Sequence, residues 1–159
     1  MVLGLEKVLD KIASVRPNKK IVFTNGCFDI FHAGHADYLN VAKTFGDILI
    51  VGINSDNSVK RLKGEKRPVI PLEMRAYVLS SHRAVDFVIP FEEDTPIKLI
   101  EAIRPDVLVK GKDWEGKEIV GKEFVLSYGG KVELISFRFS ISTSLIISRI
   151  KELYSSVDS

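Results

Sequence analysis

Residues 21–35 read IVFTNGCFDIFHAGH, and this stretch decides the fold. Its first three residues are β-branched or aromatic, as in a buried strand, and Asn25-Gly26 is typical of a turn. Residues 35–45 then carry apolar side chains, including Leu39 and Ala42, at helical spacing. The stretch therefore predicts a strand, a polar loop and a helix, which form the first unit of an α/β fold.

The same alternation of apolar strands and amphipathic helices continues along the chain. We predict further strands over residues 48–53, 85–89, 107–109 and 132–135. We predict helices over residues 3–14, 72–81, 95–103, 117–128 and 146–153. Near-continuous apolar strands separated by helices indicate a parallel sheet covered on both faces. The expected fold is therefore α/β, a Rossmann-like three-layer sandwich with a central, mostly parallel five-stranded sheet.

Length and composition exclude several classes of protein. The 159 residues suit one domain, with an N-terminal helix in residues 1–19 and a core over residues 20–154. The net charge of +2 lacks the basic excess of a duplex-binding protein, so we expect no nucleic-acid partner. No apolar run approaches the roughly 18 residues of a spanning helix, so no membrane partner is expected. The single cysteine gives no intrachain disulfide, and we expect a cytoplasmic location.

Two histidines, His32 and His35, stand three residues apart at the expected start of a helix. This spacing places both rings on one helix face, beside the free N–H groups of the first turn. Gly34 between them lets an anion approach the backbone. The pattern therefore predicts a phosphate-binding clamp. Two imidazoles alone make a poor zinc site, so we predict no protein-held metal.

A second polar segment, Ser142-Thr143-Ser144, precedes the last predicted helix. Its hydroxyls would cap that helix or bind terminal phosphates, and the histidine pair favours phosphate binding. Other nucleotide motifs are missing, because the loop after the first strand lacks G-x-G-x-x-G. Residues 111–117 have P-loop spacing, but Glu118 stands where Mg²⁺ needs a hydroxyl. We therefore expect neither a dinucleotide-binding turn nor a P-loop.

The H-x-G-H of residues 32–35 and the I-S-T-S of residues 141–144 together resemble the nucleotidylyltransferase superfamily. Longer segments, over residues 23–35, 54–68 and 91–111, resemble the adenylyltransferase domain that makes ADP-heptose from heptose 1-phosphate. The similarity extends over residues 20–150. Two departures fall near the base and sugar pockets. Lys112 occupies a position where the family commonly has glycine, and residues 137–141 lack the usual glycine.

This resemblance implies transfer of AMP from ATP, with Mg²⁺, to a sugar 1-phosphate, with release of pyrophosphate. The implied acceptor is D-glycero-β-D-manno-heptose 1-phosphate, which gives ADP-heptose. We expect a separate sugar kinase to supply it, because 159 residues leave no room for a fused one, and we expect a homodimer. Three alternatives remain open: CTP with glycerol 3-phosphate, ATP with FMN, and a nucleotide-binding module without catalysis.

The resemblance also assigns roles to individual residues. The implied catalytic residues are His32, His35 and Lys43. The implied nucleotide-binding residues are Thr24, Asn25, Gly26, Cys27, Phe28, Gly34, Val109, Lys110, Gly111, Asp113, Ser142, Thr143 and Ser144. The implied substrate-binding residues are Asp29, Asn54, Asp56 and Arg75. The basic residues 60–67 are expected to form a loop that either orders over the triphosphate or is merely solvated.

Overall fold

The computed structural model describes residues 1–155 and contains a five-stranded sheet with helices on both faces. The strands are β1 (Ile21–Gly26), β2 (Ile48–Asn54), β3 (Phe87–Phe91), β4 (Val107–Gly111) and β5 (Lys131–Ile135). Their order is β3-β2-β1-β4-β5, and every neighbouring pair is parallel. The predicted α/β class with a central parallel sheet is confirmed.

At least one helix lies between each two successive strands along the chain, and two lie between β2 and β3. They are α1 (Leu5–Ala13), α2 (Ala33–Lys43), α3 (Asp56–Lys63), α4 (Leu72–Ser80), α5 (Ile97–Ile103), α6 (Lys122–Ser127) and α7 (Thr143–Tyr154). Short 3₁₀ turns follow α1 and β4. Within residues 1–155, no helix has both the length and the apolar character that crossing a membrane requires.

Each face of the sheet buries its own apolar layer, because successive side chains of a strand point to opposite faces. Val22 of β1 lies in one layer, together with Leu39 of α2 and Leu79 of α4. The next residue, Phe23, lies in the other layer with Ile12 of α1 and Ile100 of α5. The arrangement is the expected three-layer sandwich.

The segment over residues 60–67 differs from the predicted loop, because its first half is the end of helix α3. The hydroxyl of Ser55 caps this helix by accepting from the Ser58 N–H at 3.1 Å. Ser58 Oγ donates to the Glu93 carbonyl at 2.9 Å, and Arg61 Nε donates to Asp94 at 2.6 Å. These contacts with the segment after β3 hold a short helix that contains only two apolar residues, Val59 and Leu62.

Two other helices begin at different residues from those predicted. Helix α6 starts at Lys122 and not near residue 117, because Gly116 and Gly121 adopt left-handed conformations with φ of 75° and 84°. Helix α2 starts at Ala33, two residues earlier than expected, because His32 caps it. Both differences arise from the local backbone and leave the order of elements unchanged.

The carboxyl ends of β1, β2 and β4 meet at one edge of the sheet. From β1, the chain continues to β2 on one side, and β4 is added later on the other side. Open α/β sheets bind ligands at such a switch point, outside the carboxyl ends of the strands. A ligand site is therefore expected among the loops that follow these three strands.

Candidate active site

A cleft of about 780 Å³ opens at this edge of the sheet. Its volume is in the range of pockets that hold small molecules. Most of the residues singled out from the sequence line it. These are Asn25, Gly26, Cys27, Phe28, Asp29, His32, Gly34, His35, Asn54, Lys110, Gly111, Asp113, Ser142, Thr143 and Ser144. The fold thus brings the H-x-G-H and S-T-S segments into one cleft, although more than 100 residues separate them.

His32 and His35 form a stacked pair at the start of α2, with ring centroids 3.8 Å apart. The Gly34 N–H donates to His32 Nδ1 at 3.1 Å, and the His32 N–H donates to His35 Nδ1 at 3.4 Å. Because both Nδ1 atoms accept hydrogen bonds, the neutral rings carry their protons on Nε2. Each ring therefore keeps an N–H donor for a ligand in the cleft.

The surroundings of both imidazoles favour the neutral form. Burial lowers the pKa of His32, and burial together with the neighbouring His32 lowers the pKa of His35 to about 4. The rings of Phe28 and Phe31 contribute to this burial, with centroids 5.2 Å and 5.5 Å from that of His35. The two rings therefore present oriented hydrogen-bond donors to the cleft.

The loop between β1 and α2 is held in an uncommon conformation around Asp29. Phe28 and Ile30 on either side of it both adopt left-handed backbones with φ of 49°. The Asp29 carboxylate accepts from the Val69 and Ile70 N–H groups, each at 2.9 Å. Burial alone would raise the pKa of Asp29, but these hydrogen bonds and the Arg67 guanidinium lower it. Asp29 is therefore occupied by the protein itself, although it borders the cleft.

The S-T-S segment divides its hydroxyls between structure and the cleft. Ser142 caps α7, with its Oγ accepting from the Leu145 N–H at 3.1 Å. Thr143 Oγ1 donates to the Asp29 carbonyl at 2.7 Å, which fastens the start of α7 to the β1–α2 loop. Ser144 lines the cleft, and the first-turn N–H groups other than that of Leu145 remain for an anion there. Capping and phosphate binding are therefore compatible here.

The opposite wall of the cleft follows β4 and carries a buried cation. Lys110 is 8% exposed, donates through Nζ to Asn25 Oδ1, and lies 5.4 Å from the centroid of the Trp114 ring. Burial lowers its pKa to about 8, against the opposing effect of Asp113. The ring of Phe137 lies so close to Gly111 that any side chain there would collide with it. This wall therefore combines a cation, an indole face and a closely approached backbone.

Two predicted nucleotide-binding residues, Thr24 and Val109, lie beneath the cleft and do not line it. Both are fully buried. Thr24 Oγ1 is 2.8 Å from the Tyr38 hydroxyl and donates to the Val109 carbonyl at 3.0 Å. The side chain of Thr24 thus joins β1 to β4 and α2, and supports the floor of the site.

Lys43 does not approach the cleft, contrary to the prediction from the sequence. Its Nζ pairs with the Asp86 carboxylate and donates to the Asp47 carbonyl at 2.6 Å. Asp86 also accepts from the Leu49 N–H, at the amino end of β2. Lys43 therefore lies at the opposite edge of the sheet, where it stabilises the connection after α2.

Arg75 and Asp56 form an internal ion pair, and this arrangement corrects their predicted role in binding substrate. Arg75 Nη2 donates to Asp56 Oδ1 at 2.8 Å and to the Asn54 carbonyl at 2.9 Å. Its Nη1 donates to the Cys27 carbonyl at 2.6 Å, and its Nε donates to the Ile70 carbonyl at 2.8 Å. All three guanidinium nitrogens are thus used, and Arg75 holds the loops after β1 and β2 together.

Other residues of the cleft wall were not predicted as site residues. These are Tyr38, Leu62, Lys63, Arg67, Asp94, Thr95, Pro96, Trp114, Val120, Phe137 and Ile141. Lys63 and Arg67 were noted only as members of a basic segment. Asp94 and Thr95 follow β3, so the rule that ligands lie beyond the carboxyl ends of strands could have found them. Trp114 and Phe137 carry no comparable signal in the sequence.

Comparison with known proteins identifies the family. Residues 23–149 match the family model described as cytidylyltransferase-like. The chain belongs to the cytidylyltransferase-like family. The match includes β1 from its third residue onward, the histidine pair and the start of α7. It confirms the nucleotidylyltransferase superfamily inferred from the H-x-G-H and I-S-T-S motifs.

Curated relatives of this cytidylyltransferase-like chain are identical to it at more than half of the aligned residues. It is 57% identical over 150 residues to the bifunctional protein HldE of Helicobacter pylori strain Shi470, covering 94% of this chain and 31% of that protein. It is 56% identical over 137 residues to the bifunctional protein HldE of Pelobacter propionicus, covering 86% and 28%. The chain thus spans about a third of the length of the curated relatives it matches.

Solved structures share the fold of the cytidylyltransferase-like domain. A lipopolysaccharide core biosynthesis protein from Thermoplasma volcanium is 27% identical, with a TM-score of 0.63 over 78% of this chain and 100% of that chain. Pantoate-beta-alanine ligase from Francisella tularensis, solved with beta-gamma ATP and beta-alanine, is 17% identical. Its TM-score is 0.65, covering 98% of this chain and 78% of that chain, and it supports the fold alone.

The half-buried histidine pair is expected to make stability depend on pH. Between pH 6.5 and about 4, an unfolded chain takes up a proton at residue 35 that the folded cytidylyltransferase-like domain excludes. We therefore expect the free energy of unfolding to fall as pH falls through this range, by roughly 3 kcal/mol from this group. Urea denaturation at several pH values measures the effect. His35→Asn should flatten the profile, and equal slopes in both proteins would contradict the prediction.

Proposed function

We propose that the chain transfers the adenylyl group of ATP to a sugar 1-phosphate and releases pyrophosphate. The observation that carries the proposal is the stacked His32–His35 pair in one cleft with the start of α7. Two helix N-termini, those of α2 and α7, present free N–H groups and positive dipole ends to this space. Such a site is suited to a polyphosphate.

The chemistry needs alignment more than it needs a base. A phosphate oxygen of the acceptor attacks the α-phosphorus, and the bond from that phosphorus to the oxygen bridging the α- and β-phosphates breaks. The electron pair leaves with pyrophosphate. Because the acceptor oxygen is already anionic at neutral pH, the barrier consists mainly of charge repulsion and orientation. The Nε2–H groups of His32 and His35 would stabilise the charge that develops on the phosphates.

Mg²⁺ would enter with the nucleotide. Residues 1–155 contain no group of three or more His, Cys, Asp or Glu side chains able to hold a metal ion. Mg²⁺ is commonly bound through substrate phosphates and water, with one or two carboxylates at most. When bound to ATP it would neutralise phosphate charge, while the protein orients the triphosphate through its own N–H donors.

The acceptor we propose is D-glycero-β-D-manno-heptose 1-phosphate, and the product is ADP-heptose. The resemblance over residues 20–150 and the identity to HldE proteins support this choice. The similarity to a protein of lipopolysaccharide core biosynthesis is consistent with it. A sugar kinase must then supply the acceptor. The homodimer stays a prediction, to be checked by light scattering.

The direct test is incubation of the chain with ATP, Mg²⁺ and heptose 1-phosphate. We expect equal amounts of ADP-heptose and pyrophosphate, because each transfer releases one pyrophosphate. Mass spectrometry detects the sugar nucleotide, and an enzyme-coupled assay detects pyrophosphate. Reactions without acceptor are the control and should release none. Turnover of CTP alone would contradict the adenylyl assignment and leave the reaction class intact.

A second candidate is favoured by the family match itself, since that family is described as cytidylyltransferase-like. The chain would then use CTP, with an acceptor such as glycerol 3-phosphate. Screening ATP and CTP against sugar 1-phosphates, glycerol 3-phosphate and FMN separates these functions. Nucleotide binding without pyrophosphate release from any pair would indicate a binding module.

A further inference from the structure

Two cations of the cleft wall have no role in the reaction described so far. Lys63, at the end of α3, and Arg67, in the connection to α4, both line the cleft. The Arg67 side chain is only 15% exposed, and its Nε donates to Asp29 at 2.7 Å. Within residues 1–155, neither terminal nitrogen of this guanidinium has a hydrogen-bond partner. Arg67 therefore borders the cleft with two unused donor groups.

Asp29 fixes the orientation of Arg67. Its side chain is fully buried, and its two oxygens accept from Arg67 Nε and from the N–H groups of Val69 and Ile70. The backbone of Asp29 is fastened in turn by Thr143, which also belongs to the cleft. A guanidinium held in this way loses little conformational freedom on binding a ligand. The arrangement is that of a preorganised anion-binding group.

The positive field of these cations reaches the floor of the cleft at Cys27. Burial raises the pKa of the Cys27 thiol, and Lys63, Arg75 and Arg67 oppose that effect. Arg75 is fully committed to protein acceptors, as described above, so Lys63 and Arg67 remain for a ligand. Lys63 and Arg67 both follow β2. Lys110 lies near the end of β4 and Trp114 follows that strand, on the other side of β1.

We propose that Arg67, assisted by Lys63, binds the phosphate group of the acceptor, with Asp29 as the residue that positions Arg67. The inference rests on the proposed function and assigns one half of the cleft to the acceptor. In-line displacement requires the attacking and leaving oxygens to lie on opposite sides of the α-phosphorus. With pyrophosphate at the histidine pair and α7, the β2 side is left for the acceptor. Asp94 and Thr95 on that side offer polar groups to sugar hydroxyls.

The test compares Arg67→Ala with Lys66→Ala, a loss of the same charge one residue away. Lys66 is exposed, does not line the cleft, and makes no ion pair with any residue in 1–155. We expect Arg67→Ala to raise the acceptor KM by roughly 10- to 100-fold, as for loss of a charge-assisted hydrogen bond. The KM for ATP should change by less than about twofold. Lys66→Ala should match the wild type in both.

Arg67→Lys tests the fork geometry, because it keeps the charge but not the paired donors. We expect an acceptor KM between those of the wild type and Arg67→Ala. Asp29→Asn should also raise the acceptor KM while sparing that for ATP, as a positioning residue requires. Thermal unfolding shows whether each variant folds, and the arginine variants keep the test decisive if Asp29→Asn does not. A rise in the ATP KM alone would overturn the assignment and give Arg67 to the nucleotide.

A binding measurement separates this inference from the proposed function. Inorganic phosphate is titrated into the protein saturated with a non-hydrolysable ATP analogue, and binding is followed by ³¹P NMR. We expect phosphate to bind the wild type and Lys66→Ala, and to bind Arg67→Ala at least tenfold more weakly. Equal binding to all three proteins overturns the inference, whatever reaction is catalysed. Weaker binding to Arg67→Ala, without pyrophosphate release from any acceptor, overturns the proposed function and keeps the phosphate site.

Discussion

Replacing His35 with alanine is expected to lower kcat by a factor of roughly 10²–10³, with a much smaller change in the KM for ATP. The reason is that its Nε2–H would donate to charge that develops only as the α-phosphorus is attacked. Initial rates of pyrophosphate release, measured at saturating ATP and acceptor, give kcat directly. The same assay over a range of ATP concentrations gives the KM.

His82→Ala is the matched control, because His82 is the third histidine of the chain and lies outside the cleft. Its kcat should equal that of the wild type. His32→Ala should resemble His35→Ala, and the double variant should lose less than the product of the two single losses, since both rings act on one group of phosphates. A folded His35→Ala with near-normal kcat for every substrate pair would show that the pair is structural.

Replacing Arg75 with alanine is expected to cost about 2–4 kcal/mol of folding stability, since it leaves the carbonyls of Cys27, Asn54 and Ile70 without a donor, whereas Asp56 is partly solvated. Arg75 is almost fully buried and donates to four protein acceptors. Urea denaturation of wild type and variant measures the loss. Arg75→Lys should recover part of it, because lysine restores the charge without the planar arrangement of donors.

Arg149→Ala provides the comparison for an exposed arginine, whose ion pair with Glu152 lies on the surface of α7. That change should stay within about 0.5 kcal/mol. If Arg75→Ala instead kept the stability of the wild type and lost affinity for the acceptor, the role first expected from the sequence would be restored.

The fold was predictable because its signal is local. Buried parallel strands are continuous apolar runs, and the strands from residues 21, 48 and 107 stand out for that reason. Helix α3 could not be predicted in the same way, because it is only eight residues long and mostly polar. It depends on hydrogen bonds with Ser55, Glu93 and Asp94. Contacts with a segment some 35 residues away leave no mark on the sequence around α3.

A residue's location in the cleft was predictable where it depends on a place after a strand or at a helix start. His32, His35 and Ser144 are of this kind. The expectation for Lys43 failed because a sequence shows a charge but not its partner, and Asp86 is 43 residues distant. The expectation that Arg75 binds substrate failed for the same reason. Arg67 was missed for a related reason. It belongs to a basic segment without a distinctive pattern, and the sequence does not show that the buried Asp29 orients it.

The strand order β3-β2-β1-β4-β5 puts the residues proposed to bind the two substrates on opposite halves of the sheet. The loops after β2 and β3 carry Lys63, Arg67 and Thr95, whereas those after β4 and β5 carry Trp114 and Phe137. In this proposal, only the phosphates of the two substrates would meet over β1. In the proposed arrangement, changes confined to the connection through α3 would alter the choice of acceptor while leaving the nucleotide half and the reaction centre as they are.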